Sequence, residues 1–84
     1  MNDITLLFLL LALGMFILVM VLRDKASMPL RFTGLIFAVG DLAFTLTDTT
    51  LPEIEYAVEI MVIVAFAMIV YHLWEIIDSI TGKR

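Results

Sequence analysis

Asp41 and Glu59 are the acidic residues set furthest inside apolar sequence in this chain. A carboxylate surrounded by hydrocarbon must be protonated, paired, hydrated or metal-bound, so an ionisable residue within a membrane span is a candidate functional group. Asp41, Thr45 and Asp48 recur at i, i+4 and i+7, and Glu55 and Glu59 at i and i+4, so each set shares one helix face. On antiparallel helices Asp41 would lie roughly 10 Å from the helix end, with Glu59 at a similar or slightly shallower depth. Two polar stripes could then meet in one leaflet. The chemistry open to them is a proton or cation relay, a hard-cation site, or pairing with bases of another subunit. The plainer alternative is a neutral or backbone-bonded Asp41 and a Glu59 that reaches outer water. The chain has no Lys or Arg of its own at that depth, so pairing would need a partner chain to supply the base.

His72 is the single histidine, with Glu75 at i+3. That is half of a carboxylate–histidine metal site, and two ligands do not complete one. Glu59 cannot contribute, because the helical rise puts it about 20 Å away. A lone histidine could ligate a haem or chlorophyll enclosed by a second chain, with Trp74 alongside; the plainer reading puts His72 in an interfacial belt with Tyr71 and Trp74. Gly34 and Ala38 form a small-xxx-small pair that lets helix backbones approach closely. The six Met and six Phe read as packing or lipid-facing residues, with no cofactor implied. No nucleophile elbow, phosphate loop or zincin motif occurs. Cysteine is absent, which excludes a disulfide framework, a thiolate nucleophile and a cysteine metal site.

The elements that must position these residues are transmembrane helices. At 63% hydrophobic and a mean hydropathy of +1.12, the 84 residues are far more apolar than a soluble domain, and a soluble chain of this size could not cover such a surface. An all-α fold of one three-helix unit over 1–84 is expected, with spans at about 4–22, 32–47 and 54–74. The first is uncharged and long enough to cross. The second is the weakest, at 16 residues carrying Gly40 and Asp41, and should need neighbouring helices for stable insertion. Ser27 and Pro29 mark a turn in the 23–31 loop, and Arg31 ends that loop and snorkels towards headgroups. Thr50 suits an N-cap and Pro52 a first turn, which puts the third helix over about 52–78. Thr81-Gly82 ends it.

Charge sets the expected orientation. Arg23, Lys25, Arg31, Lys83 and Arg84 are all five basic residues, and three spans put them on one side, opposite Asp48, Glu53 and Glu55. Lys and Arg are retained in the cytoplasm, so the N-terminus and the 48–53 loop are expected outside, and the 23–31 loop and the C-terminus inside. A rival arrangement with two spans around an extramembrane 23–55 would discard this asymmetry. Met1-Asn2-Asp3 lacks a basic n-region, so the first span reads as retained rather than cleaved. The net charge of −4 gives no basic patch for nucleic acid.

Arg23, Pro29-x-Arg31, Asp41 and Glu59 together resemble the pattern of the small three-helix F subunit of multisubunit sodium/proton antiporters, related to a subunit of membrane-bound hydrogenases. The similarity in size and topology spans most of the chain. It departs from that family in lacking the Gly-Pro before the loop, in having Leu30 for the loop Asp, and in placing Asp41 about five residues deeper. The resemblance implies an ion-path subunit, with Asp41 and Glu59 in the path. The reading from the residues themselves is a non-catalytic accessory subunit of a larger integral-membrane complex, such as a redox enzyme, oxygenase or transporter. It would carry no cofactor of its own, with other membrane subunits and lipid as partners, in a cell membrane of the prokaryotic plasma-membrane kind. A holin-like pore former shares the three short spans and the basic tail and stays open as a third reading.

Overall fold

The computed structural model describes residues 2–51 and 56–82, and its regular elements are helices. Helix α1 (Asp3–Leu22) starts where Asn2 accepts a hydrogen bond from the Ile4 N–H at 3.1 Å, with Asp3 against the positive end of the helix dipole. It stops at Arg23, whose positive φ of 51° turns the chain into a single 3₁₀ turn, Arg23–Lys25.

Helix α2 (Met28–Thr47) corrects the sequence reading of its start at 32. Ser27 is its N-cap, accepting from the Leu30 N–H at 3.3 Å, and Pro29 lies in its first turn. A proline there has no N–H to lose and a φ already suited to the helix, so it opens the element instead of marking a loop. The helix therefore has 20 residues, about 30 Å, which is a full bilayer span. Helix α3 (Ala57–Thr81) follows Tyr56, which adopts a left-handed φ of 64° without a side-chain cap. The Thr50 hydroxyl donates to Asp48 at 2.6 Å, and the cap expected of it for a helix starting near Pro52 rests on residues outside those described. The expected start at Pro52 falls outside the described residues. Gly82 ends α3 in the left-handed region, its N–H bonding the Asp78 carbonyl. All three helices are long and apolar enough to cross a membrane, an architecture compatible with a multi-pass membrane protein.

Helix α2 is the middle of the bundle and packs along both neighbours, whereas α1 and α3 meet only over a short stretch. Its buried residues are Arg31, Gly34, Ala38, Asp41 and Thr45, alternating by three and four. Thr5, Ala12 and Val19 on α1 repeat every seven, and Ala65, Met68, His72 and Glu75 on α3 alternate as on α2. That is the seam of a left-handed bundle, made of small and polar residues. Four of the seven buried apolar residues are alanines, while Val21, Ile63 and Ile80 are each about two-thirds or more exposed. Lipid is as apolar as leucine, so close backbone approach and interhelical hydrogen bonds hold such helices together.

Aromatic rings fill what the small residues leave. Gly40 makes room for Phe8, whose ring would lie 2.7 Å from any Cβ at that position. Phe8 also stacks on Phe44 at 4.8 Å and meets Phe37 edge-on at 6.1 Å. Gly40 is thus the seat of an α1–α2 contact rather than merely a weak point in the helix.

Candidate functional site

Two polar regions lie along the bundle interior, one towards each end. At the end carrying Asp48, Asp41 is 1% exposed and accepts from the Thr45 hydroxyl at 3.4 Å, one turn along α2. The second carboxyl oxygen of Asp41 makes no hydrogen bond within the described residues. Thr45 and Thr5 are equally buried. Asp48 then closes this end. It accepts the Asn2 N–H at 2.8 Å, the Thr50 N–H at 2.8 Å and the Thr50 hydroxyl at 2.6 Å. The Thr50 hydroxyl above all, then the Asn2 and Thr50 amides, with a smaller part from the Thr5 hydroxyl, hold the Asp48 carboxyl well below the usual carboxylate range.

At the opposite, basic end the sequence reading of Arg31 is overturned. Arg31 does not snorkel from a loop: it lies in the first turn of α2 and is 5% exposed. Its guanidinium donates to the Ser79 hydroxyl of α3 and, at 2.9 Å, to the Arg23 carbonyl that ends α1. One side chain thereby joins all three helices. A planar fork with five donors on a long stem suits this task.

His72 is also displaced from its expected place. It is fully buried between α3 and α2, not in an interfacial belt. Its ring occupies the space left by Gly34, where a Cβ would come within 2.5 Å of Cε1. Phe16 and Tyr71 stand edge-on to it at 6.4 and 5.6 Å. Neither ring nitrogen makes a hydrogen bond within the described residues. Glu75, at i+3, is 5% exposed on the same side of α3. Ligation of a pigment held by a second chain does not fit this placement, because the bundle's own helices enclose both nitrogens. Trp74 is 60% exposed and does not share the enclosure of His72.

Between the two regions stands an apolar collar of Ala12, Ala38 and Met68, backed by Leu13, Phe16, Phe37 and Ile69. Gly34, level with His72, and Asp41 are separated along α2 by about 10 Å, with Ala38 between them. The interior is polar at both ends and apolar in the middle.

The structure does not bring Asp41 and Glu59 together. Asp41 faces the interior, whereas Glu59 is exposed in the first turn of α3, and among the described residues no hydrogen bond joins them. Gly34 and Ala38 do lie together on the buried face of α2. Among the described residues no group of three or more His, Asp or Glu is placed to hold a metal ion. Sequence reasoning missed Arg31, Glu75 and Ser79 as interior groups, and Thr5 as a buried one. The signal that could have found most of them is the heptad spacing of small and polar residues, since 31-34-38-41-45 and 65-68-72-75 each trace one face. No family model, curated protein or solved structure matches this chain.

Proposed function

We propose that this chain is a non-catalytic subunit embedded in a larger integral-membrane complex, of the redox-enzyme, oxygenase or transporter kind. The observation that carries this reading is the contrast between a large apolar exterior and a small interior in which Arg31 Nε, one Asp41 oxygen and both His72 nitrogens make no hydrogen bond within the described residues. Each such buried polar atom costs about 1–3 kcal/mol, and the few buried alanines return little. Neighbouring chains packed on the outward faces of α1 and α3 supply the missing stability. Arg23, Lys25 and Arg31 at one end support an orientation with that end in the cytoplasm. Cysteines introduced at Asp3 and Thr50 should then react with an impermeant thiol reagent in intact cells, and one at Ser27 should not. External labelling at Ser27 reverses the orientation.

Purification of a tagged chain from native membranes tests the role. Co-migration with defined partner subunits is the expected result. Large homo-oligomers, together with lethality on expression, would instead identify a holin-like pore former.

A second reading, an ion-path subunit, is favoured by the two buried polar regions flanking the collar of Ala12, Ala38 and Met68. Ionisable groups within a span commonly mark proton or cation paths. In that case Asp41→Asn and His72→Gln leave assembly intact and reduce proton or cation flux in the reconstituted complex. Unchanged flux in both removes this reading.

A further inference from the structure

Towards the Asp48 end of the bundle, Asp41 has bonding capacity that its neighbours leave unused. It is 1% exposed, and its Oδ2 makes no hydrogen bond within the described residues. The helix register shows what surrounds it. Ala12, Ala38 and Met68 pack at one level of these antiparallel helices, so one turn towards the Asp48 end Asp41 stands level with Leu9 and Ala65. Neither of these titrates. Among the described residues the other acids of that end are Asp48 on α2, Asp3 at the start of α1 and Glu59 on α3, and the last two are exposed.

A route of polar side chains leads from that end to Asp41. About 10 Å out from the collar, Thr5 and Thr45 stand level across the α1–α2 seam, and each is 1% exposed. The Thr45 hydroxyl donates to Asp41 at 3.4 Å. The Thr5 hydroxyl interacts with Asp48. In the other direction the collar of Ala12, Ala38 and Met68 offers no polar side chain.

The donor set selects the ligand. A hard metal ion takes six or more oxygens. Here one carboxyl stands with two hydroxyls, the helix carbonyls are engaged along the backbone, and no group of three His, Asp or Glu among the described residues is placed to hold a metal. A proton needs one oxygen, and Oδ2 supplies it. A hydroxyl both donates and accepts, so each threonine can take a proton on its oxygen and release its own, and neither is consumed.

We propose that Asp41 is a proton-binding site open only to the Asp48 end of the bundle, reached past Thr5 and Thr45 and closed below by the collar. This rests on the membrane-embedded reading above and requires no flux through the chain, so it is separate from the ion-path reading.

The occupancy of a site open to one side follows the pH of that side alone. The test uses the full chain in sealed vesicles, its orientation read from protease access to a C-terminal tag, and dicyclohexylcarbodiimide as the probe. A protonated carboxyl gives its proton to a carbodiimide nitrogen while its oxygen adds to the central carbon, and rearrangement leaves an N-acylurea that peptide mass spectrometry locates. Raising the pH on the Asp48 side should slow labelling of Asp41, by up to about tenfold per unit, and the same change on the basic side should leave it unaltered. Labelling that follows the basic side, follows both sides, or never reaches Asp41 overturns the proposal. Protection by sodium or potassium at fixed pH overturns the proton as the ligand. A chain stripped from the vesicles by alkaline washing overturns the membrane reading itself; failure with the chain retained overturns the site alone. In time-resolved infrared after a pH step on the Asp48 side, the Asp41 carboxyl band should respond about tenfold more slowly in Thr45→Val, the effect of one lost hydrogen bond, and Thr45→Ser should restore the rate. Equal rates in all three chains overturn the route.

Discussion

The two ends of the bundle solve the same problem in opposite ways. At one end a surface carboxylate, Asp48, gathers donors from Asn2 and Thr50 and ties the start of α1 to the end of α2. At the other a buried guanidinium, Arg31, ties the end of α1 and the last turns of α3 to the start of α2. The surface link is richly bonded and cheap to lose, because water can replace each donor. The buried link makes fewer bonds and is costly to lose, because a buried site away from water offers no replacement. Burial, more than the number of bonds, sets what each polar group is worth here.

Arg31→Met should show the largest effect. It strands the Ser79 hydroxyl and the Arg23 carbonyl, and the loss of two charge-assisted bonds implies about 3 kcal/mol. Thermal unfolding in detergent, followed by circular dichroism, reads the change; a midpoint equal to that of the native chain would mean that the buried link carries no load.

Gly34→Ala comes next and sharpens the description of the same end. The added Cβ meets the His72 ring, an overpacking expected to cost about 1–3 kcal/mol. Combined with His72→Ala, the same change should cost little, because the ring it collides with is gone. Additive effects in that double-mutant cycle would contradict the packing of His72 on Gly34.

The smallest effect belongs to Asp48. Its carboxyl lies below its ordinary 3.8 in the folded chain, so the folded state binds its proton less readily than the unfolded one. The stabilising contribution is therefore present above pH 3.8 and is lost as the pH falls through the lower folded value. Hydrogen exchange at the Asn2 and Thr50 amides should speed up below pH 3.8, beyond the intrinsic trend, and Asp48→Asn should abolish that extra acid dependence. Exchange with the same pH profile in both proteins would disconnect Asp48 from the α1–α2 junction.

Much of this architecture was written into the chain locally. Three apolar runs long enough to cross a bilayer follow from composition and helical rise alone. Gly82 as the end of α3, and Asp41 as an acid within a span, were also readable. Pro29 shows how local chemistry misleads when its position in the element is unknown: the same residue breaks a helix from inside and starts one from the first turn.

What only the tertiary structure decided is which way the polar side chains face. In a soluble helix apolar periodicity marks the buried side. Here α1 is apolar all round, so hydropathy carries little directional information. The inward faces are set by size and hydrogen bonding, through Gly34 beneath His72, Gly40 beneath Phe8 and Arg31 across to Ser79. The same cause sent Asp41 inward and left Glu59 outside, although their depths along the sequence are alike. Axial depth follows from the 1.5 Å rise per residue, but azimuth depends on which neighbours have room for the side chain, and that is a property of packed helices.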